Sequence, residues 1–278
     1  MNYAANSTEE ISARLLLGGN IFQKRARIYS RSRMLVHALI LCVAILEGFD
    51  LIEGHYAGIL ILGLAIASIV TLTLARQSHT ISRLFRVNLL LTNSLGLDQT
   101  DLDNQSLLCE HKISRDLSLP NISHYYYCSN QPPGPKKLKS SLGETLFFAE
   151  HLWRDSASRV TKVFIIPSLV LLGIALSAPY LQSRDVISLD RILVLVVAFL
   201  SEIHLVTERI EFSEAVRKCQ SLYQRLLQAD TANNIELVQI LCAYSAISFA
   251  TPPPIQAIYN RRRNELNEIW AVESTKCL

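Results

Sequence analysis

The sequence has few charged residues for its length. Only 18% of the 278 residues are Asp, Glu, Lys or Arg, whereas 50% are apolar, and the mean hydropathy is positive. This composition is too apolar for an ordinary soluble domain. The apolar residues are also clustered along the chain, and this clustering favours an integral membrane protein.

The sequence also lacks the common motifs of catalytic sites. It has no Gly-rich phosphate loop, no His-Glu-x-x-His pair and no nucleophile elbow. We therefore expect a protein that is not an enzyme and that uses no cofactor. The residues that most resemble metal ligands are Cys109, His111, His124 and Cys128, but their order and spacing fit no common zinc module. No metal site is predicted.

Four apolar runs each have about the ~20 residues that a helix needs to cross ~30 Å of hydrocarbon. The first follows 33 largely polar and basic residues, unlike the short start of a cleaved signal peptide, so we expect it to remain in the mature chain. A helix satisfies its own backbone hydrogen bonds in lipid, so the runs predict an all-α integral membrane protein with two transmembrane hairpins. The four predicted spans are Met34–Ile52, Tyr56–Ala75, Val163–Leu181 and Val186–Val206.

Lysine and arginine are distributed unevenly around these spans. Residues 1–33 contain six, residues 76–162 contain eleven and residues 207–278 contain eight, which together make 25 of the 27 cations. The other two are Arg184 and Arg191, in or beside the connection of the second hairpin. Because cationic segments stay in the cytoplasm, we predict a multi-pass protein of the bacterial inner membrane with both termini cytoplasmic.

The same partition divides the chain into five parts. Residues 1–33 form an N-terminal amphipathic helix in the cytoplasm, and residues 34–75 and 163–206 form the two transmembrane hairpins. Residues 76–162 and 207–278 form a mainly helical cytoplasmic domain.

Several helices are predicted within the cytoplasmic parts. A capping-box pattern that starts at Ser7 opens the N-terminal helix, and Gly18-Gly19-Asn20 indicates a break in it. Ile235–Ala250 is apolar but short and contains Glu236, so we expect a core helix, with a fifth span as the alternative. The other predicted helices extend the second span over Arg76–Asn93, cover Leu142–Arg159, continue the fourth span to about Leu227 and lie within Ser248–Trp270.

One segment combines aromatic rings with cations. Its prolines and glycine predict a loop over residues 124–139. Rings stack on a base while cations contact phosphates, so this loop and an arginine run near the C-terminus are candidate ligand-binding sites. Contact with anionic lipid headgroups is the alternative for both. The candidate residues are Tyr125, Tyr126, Tyr127, Lys136, Lys137, Lys139, Arg261, Arg262 and Arg263.

Ionisable side chains within the predicted spans form a second candidate site. Such side chains are costly in lipid unless they face a partner or water. Arg191, Glu202 and Arg209 are 11 and 7 residues apart, so they share one helical stripe that should face the bundle or an aqueous path. Side chains that merely reach interfacial water are the alternative. The candidate pore-facing or bundle-facing residues are Glu47, Arg191, Glu202, His204 and Arg209.

The layout and three local patterns are similar to a known family. The patterns are the Tyr-rich stretch before the Pro-Gly loop at 125–135, the Glu-x-x-Phe-Phe-x-x-x-Leu run at 144–152 and the closing Ile255-Gln256-x-x-Tyr259-x-x-Arg262 helix. With its two hairpins, the chain resembles the four-transmembrane effectors of bacterial antiphage systems associated with cGAS-like nucleotidyltransferases, the CBASS systems. The resemblance implies an effector that senses a cyclic di- or oligonucleotide in the cytoplasm and permeabilises the membrane, which ends in abortive infection.

Two other functions remain open at the level of the sequence. One is a toxin restrained by a partner protein or nucleic acid, as in retron-type systems, and the other is a constitutive small-solute channel or transporter. A transporter is expected to have internal repeats, and the two hairpins show no clear sequence repeat. Four spans enclose no useful pore in one copy, so the leading hypothesis requires a homo-oligomer in the lipid bilayer. It requires no direct nucleic-acid binding.

Overall fold

The structure of the chain is a computed structural model that describes residues 2–49, 51–95, 110–111, 132–166, 169–170, 173, 177, 189–231 and 234–274. Regular structure in these residues is helical, with no strand, so the all-α prediction is confirmed for them. Side chains are described from Ile11 onwards in the first helix and from Ile203 onwards in the fourth. The helices are α1 (Asn2–Gly48), α2 (Gly54–Leu95), α3 (Pro135–Arg159), a π-helical segment (Val160–Ile165), α4 (Leu189–Gln228), α5 (Asn234–Ala250) and α6 (Gln256–Glu273).

Two of the described helices are long and apolar enough to cross a membrane, by length and composition. They are Ile11–Glu47 within α1 and His55–Leu95 within α2. The second contains the predicted span Tyr56–Ala75, whereas the first covers the predicted span Met34–Ile52 only as far as Glu47, because α1 ends at Gly48. The described residues of 163–181 are helical, as is the part of α4 that precedes Val206. Residues 178–188, which include the connection predicted for the second hairpin, lie outside the described residues.

Two predictions about the N-terminal segment are wrong in the α1–α2 hairpin. α1 begins at Asn2, so Ser7 lies inside the helix and does not cap it, and the helix passes through Gly18 without the predicted break. The glycine serves close packing, because a Cβ on Gly18 would lie 2.8 Å from the ring of Phe85 on α2. Ser82 of α2 also donates a hydrogen bond to the Gly19 carbonyl over 2.7 Å. The two helices therefore approach each other closely at this point.

The main apolar core lies mostly outside the predicted spans, although Leu205 of the fourth span belongs to it. It is built from the C-terminal halves of α2 and α4 together with α3 and α5. As predicted for residues 235–250, α5 lies in this core, but only one of its faces is buried, and Ile235 and Val238 on another face are exposed. The largest fully buried side chains of this core are Trp153, Phe212, Leu138, Leu142, Leu146, Leu226 and Leu237.

α3 begins earlier than predicted. It starts at Pro135 instead of Leu142, with proline in the first turn after Gly134, whose φ is 150°. Proline suits this place because it has no N–H to leave unsatisfied and its φ is already helical. The Gly134 amide donates to the Ser94 carbonyl over 2.7 Å, which joins the start of α3 to the end of α2. Lys136 and Lys139 therefore lie on a helix and not in the predicted loop.

The predicted helical continuations are confirmed. α2 runs through Arg76 to Leu95, and α4 runs without interruption to Gln228. α6 packs on α3 through a second apolar cluster that contains Phe147, Leu152, Ile258, Leu266 and Trp270. The parts of α2 and α4 that correspond to predicted spans are thus continuous with helices of the main core.

Candidate functional site

A cluster of polar and charged side chains lies where α1, α2 and α4 meet, at the ends of the predicted spans. On α4 it uses His204, Glu208 and Glu211, whose spacing of four and three residues places them on one face of the helix. We name this group the junction cluster. Its members are Arg33 and His37 of α1, Ser68 and Arg76 of α2, and His204, Glu208 and Glu211 of α4.

The centre of the junction cluster is an ion pair between α1 and α4. Nη1 of Arg33 lies 3.0 Å from Oε2 of Glu208, and both side chains are buried. Taking either charge out of water costs several kcal/mol, so each is tolerated there because of the other. The pair therefore ties α4 to α1, and separating the helices leaves two uncompensated charges.

A second ion pair joins α2 to α4 about one turn further along. Nη2 of Arg76 lies 3.2 and 3.3 Å from the two carboxylate oxygens of Glu211. Partial burial raises the pKa of Glu211, the neighbouring Glu208 raises it further, and Arg76 opposes both effects. Together the two pairs bind α4 to both helices of the first hairpin.

Two histidines and a serine lie on the other side of the Arg33–Glu208 pair. His37 is four residues from Arg33 on α1 and is buried, with Nε2 3.2 Å from the hydroxyl of Ser68 on α2. His204 of α4 is exposed but lies close enough to Arg33, His37 and Glu208 to interact with them electrostatically. The junction cluster thus has its charged pairs just outside the predicted spans and its histidines inside them.

The junction cluster aligns the ends of three predicted spans. Arg33 directly precedes the first span, Arg76 directly follows the second, and Glu208 lies two residues beyond the fourth. Their ion pairs place these three ends at one level. Above this level the outer surface of the helices is strongly apolar, and its exposed large side chains include Leu35, Leu39, Ile59, Leu62, Ile66, Ile69, Leu169 and Val170.

The predicted pore-facing residues are distributed over several places. His204 belongs to the junction cluster, whereas Glu47 is buried near the end of α1. Arg209 follows Glu208, so it lies about 100° further round the helix, and it is exposed. The side chains of Arg191 and Glu202 lie outside the described part of α4.

The predicted ligand-binding lysines have different environments. Lys139 is buried and donates from Nζ to the Ala229 carbonyl over 2.8 Å, which satisfies the end of α4. Lys137 is half-buried and Lys136 is exposed. Residues Tyr125, Tyr126 and Tyr127 lie outside the described residues.

The predicted arginines lie far from these lysines. Arg262 is paired with Asp155 of α3 and with Glu265 of α6, each over 2.5 Å, and the hydrogen bonds that it donates to Glu265 and Asp155 raise its pKa. Arg261 and Arg263 are exposed. Asp155 and Lys136 are 19 residues apart on α3, which corresponds to about 28 Å along the helix. The structure therefore does not bring the two groups of cations into one site.

The residues considered as metal ligands form no centre within the described part of the chain, where no group of three or more potential ligands is found. His111 packs against the rings of Phe22 and Phe85, with centroids 5.2 and 5.8 Å away. Cys109, His124 and Cys128 are outside the described residues.

Arg33, Arg76, Glu208 and Glu211 were not among the residues predicted from the sequence. A signal was present, since Arg33 and His37 share one helical face, as do His204, Glu208 and Glu211, and both groups flank predicted span ends. Comparisons with protein-family models, curated proteins and solved structures find no match for this chain. The geometry of the junction cluster is thus the main basis for a functional proposal.

Proposed function

We propose that the chain is a four-span protein of the bacterial inner membrane that permeabilises this membrane as a homo-oligomer when a cytoplasmic signal opens the junction cluster. In this proposal, the two hairpins lie in the bilayer, and both termini and residues 76–162 lie in the cytoplasm. The main core of α2, α3, α4 and α5 receives the signal.

The observation that carries the proposal is the buried Arg33–Glu208 pair on two continuous helices. α1 and α4 each extend from a predicted span into the predicted cytoplasmic parts without a break. A displacement of the cytoplasmic half of either helix is therefore transmitted directly to the ion pair. Because buried pairs have discrete geometries, the pair favours two separate arrangements over a gradual deformation.

The exposed surface above the junction supports insertion in a bilayer. Large apolar side chains such as Leu35, Ile59 and Leu169 are more than half exposed. A contiguous apolar surface of this kind marks a lipid or protein contact, because soluble monomers rarely expose one. The uneven distribution of cations independently supports the orientation.

The biological setting comes from the resemblance at residues 125–135, 144–152 and 255–262. It supports an effector of an antiphage system whose signal is a cyclic nucleotide. The signal must bind the resting and open states with different affinities, because a ligand with equal affinity shifts no population.

The topology is tested with reporter fusions. Fusions at Glu53 and Ser183 should be periplasmic, and fusions at Asn130 and Leu278 should be cytoplasmic. A periplasmic signal at Asn130 would refute the orientation.

The permeabilising activity is tested with a potential-sensitive dye in cells that express wild type or Glu202→Gln at equal membrane levels. We expect wild type to depolarise the cells once activated, and we expect the variant to change toxicity or ion preference, because it removes an intramembrane charge at nearly constant size. An absence of depolarisation under cognate phage challenge would refute the function. Unchanged ion preference would remove Glu202 from the conduction path.

A further inference from the structure

A half-buried arginine in the main core contacts only neutral groups among the described residues. Arg83 of α2 extends toward α3 and α5. Its Nη1 donates to the hydroxyl of Tyr244 over 3.2 Å, and its Nε contacts Nε2 of His79 at 3.5 Å. The guanidinium carbon lies 6.0 Å from the centre of the Trp153 ring, over its face.

Four other arginines among the described residues join two helices through a carboxylate. Four ion pairs show this arrangement: Arg33 with Glu208, Arg76 with Glu211, Arg225 with Glu236, and Arg262 with Asp155. Arg83 has no carboxylate within 4.0 Å among the described residues. The charges of Glu150 and Arg83 both act on the pKa of Cys219. Glu150 does not pair with Arg83, because it pairs with Arg154 and accepts a hydrogen bond from Gln220.

Among the described residues, the polar groups next to Arg83 carry no negative charge. His79 is buried, and its pKa lies well below the usual value because of burial and the charges of Arg83 and Arg86. It is therefore neutral at pH 7 and contributes no counter-charge. Trp153 is fully buried, and its Nε1 donates to no acceptor among the described residues. Arg83, Tyr244 and Trp153 thus offer N–H and O–H donors beside an uncompensated positive charge.

We propose that Arg83, Tyr244 and Trp153 form a binding site for a phosphate group, supplied by a nucleotide or by a lipid headgroup. A guanidinium has five N–H donors in a rigid planar fork that matches the oxygens of phosphate. Only two of these donors contact an acceptor among the described residues. The oxygens of a bound phosphate accept hydrogen bonds from the remaining N–H groups of Arg83, and its negative charge balances that of the guanidinium.

The position of this site deepens the proposed function, on which its regulatory role rests. Arg83 lies seven residues after Arg76 on α2, which corresponds to about 10 Å along the helix. A phosphate held between α2, α3 and α5 therefore changes the packing two turns from the Arg76–Glu211 pair. Binding at Arg83 itself does not depend on membrane permeabilisation, so the two hypotheses fail separately.

Tryptophan fluorescence provides a direct test, because the chain has only two tryptophans. In full-length detergent-solubilised protein that carries Trp270→Phe, Trp153 is the sole reporter. The protein is titrated at constant ionic strength with pyrophosphate, with cyclic di-AMP and with vesicles of phosphatidylglycerol or phosphatidylcholine. We expect a saturable change in Trp153 emission, because an anion bound to Arg83 changes the electrostatic interaction between the guanidinium and the Trp153 ring.

Three variants in the Trp270→Phe background locate the response. Arg83→Gln should weaken the apparent affinity at least about tenfold, as expected for loss of a charged hydrogen-bond donor. Tyr244→Phe removes only a hydroxyl and should weaken it several-fold. Arg154→Gln is the matched control, because it removes the same charge from an arginine already paired with Glu150, and it should leave the affinity unchanged.

The outcomes distinguish the source of the phosphate. Saturation by pyrophosphate or cyclic di-AMP supports a soluble nucleotide, whereas a response only to phosphatidylglycerol vesicles supports a lipid headgroup. The proposal is overturned if no probe gives a saturable response, or if Arg83→Gln and Tyr244→Phe both respond as the parent does. Circular dichroism of each variant verifies that the helical fold is retained.

Discussion

The Arg33–Glu208 pair yields a quantitative prediction. Its side chains are 7% and 10% exposed and the charged atoms are 3.0 Å apart. Replacing Arg33 with Gln leaves the Glu208 carboxylate buried without its partner. Removing one member of a buried ion pair costs about 3–5 kcal/mol. We therefore expect Arg33→Gln to lower the free energy of unfolding by about this amount.

Arg76→Gln is the matched control for this change. Its ion pair with Glu211 joins α4 to the same hairpin, but the Arg76 side chain is 52% exposed. Exposed pairs contribute about 0–1 kcal/mol, so this variant should lose little stability. The double variant Arg33→Gln with Glu208→Gln should recover most of the loss, because no unpaired charge remains in the interior.

The assay is unfolding of the detergent-solubilised chain in mixed micelles with increasing denaturing detergent, followed by circular dichroism. The double-mutant cycle gives the coupling energy between Arg33 and Glu208 directly. Equal losses for Arg33→Gln and Arg76→Gln would refute the reasoning. Strict additivity of the two single changes would do so as well, because independent residues show no coupling.

Three further predictions concern packing, pH and capping. Gly18→Ala should destabilise the protein by about 1–3 kcal/mol, since its Cβ would meet the buried Phe85 ring at 2.8 Å, whereas Gly63→Ala, with no atom within 4 Å, should be neutral or stabilising. Thermal melts of the two variants compare them. Because burial depresses the pKa of His79, its contribution to stability is complete above pH 6.5 and is lost as the pH falls toward the folded-state pKa. His79→Asn should therefore flatten the decline in melting temperature below pH 6.5, and an unchanged decline would contradict this. Lys139→Met removes the hydrogen bond to the end of α4 and should cost about 1–3 kcal/mol in the same melts, while an unchanged melting temperature would exclude a capping role.

Local features of the fold were predictable from the sequence. Apolar runs of sufficient length identify α1 and α2, because burial in lipid needs only a sufficient length of consecutive apolar residues. The continuation of α4 to Gln228 was also predictable, since no glycine or proline interrupts it. The start of α3 was missed although Gly134-Pro135 is a typical helix start, because the neighbouring prolines were assigned to one loop.

Features that depend on distant contacts were not predictable. Arg33 and Glu208 are 175 residues apart, and their pairing depends on the register between α1 and α4. The role of Gly18 likewise depends on Phe85, which the sequence places on a different helix. Glycine in a helix usually weakens it, so the pattern alone predicted a break. Helix register is fixed by tertiary packing, which a single sequence does not reveal.

The same limit applies to the candidate sites. The sequence predicted a stripe through Arg191, Glu202 and Arg209 and named His204 only as a further candidate. The neighbouring helices contact the face with Glu208 and Glu211, which is rotated from Arg209. In the sequence, Lys136 and Arg262 were both candidate phosphate contacts. In the structure Arg262 pairs with Asp155, which lies about 28 Å along α3 from Lys136.

Reconstitution tests the central claim most directly. Purified chain is inserted into liposomes of phosphatidylethanolamine and phosphatidylglycerol, and a potassium diffusion potential is followed with a voltage-sensitive dye. We expect that wild type without signal maintains the potential and that Arg33→Gln dissipates it, because the junction cluster is broken. Arg33→Gln with Glu208→Gln should maintain the potential again. If liposomes with correctly inserted, oligomeric Arg33→Gln protein hold the potential as long as wild type does, the proposed control of permeability by this cluster is contradicted.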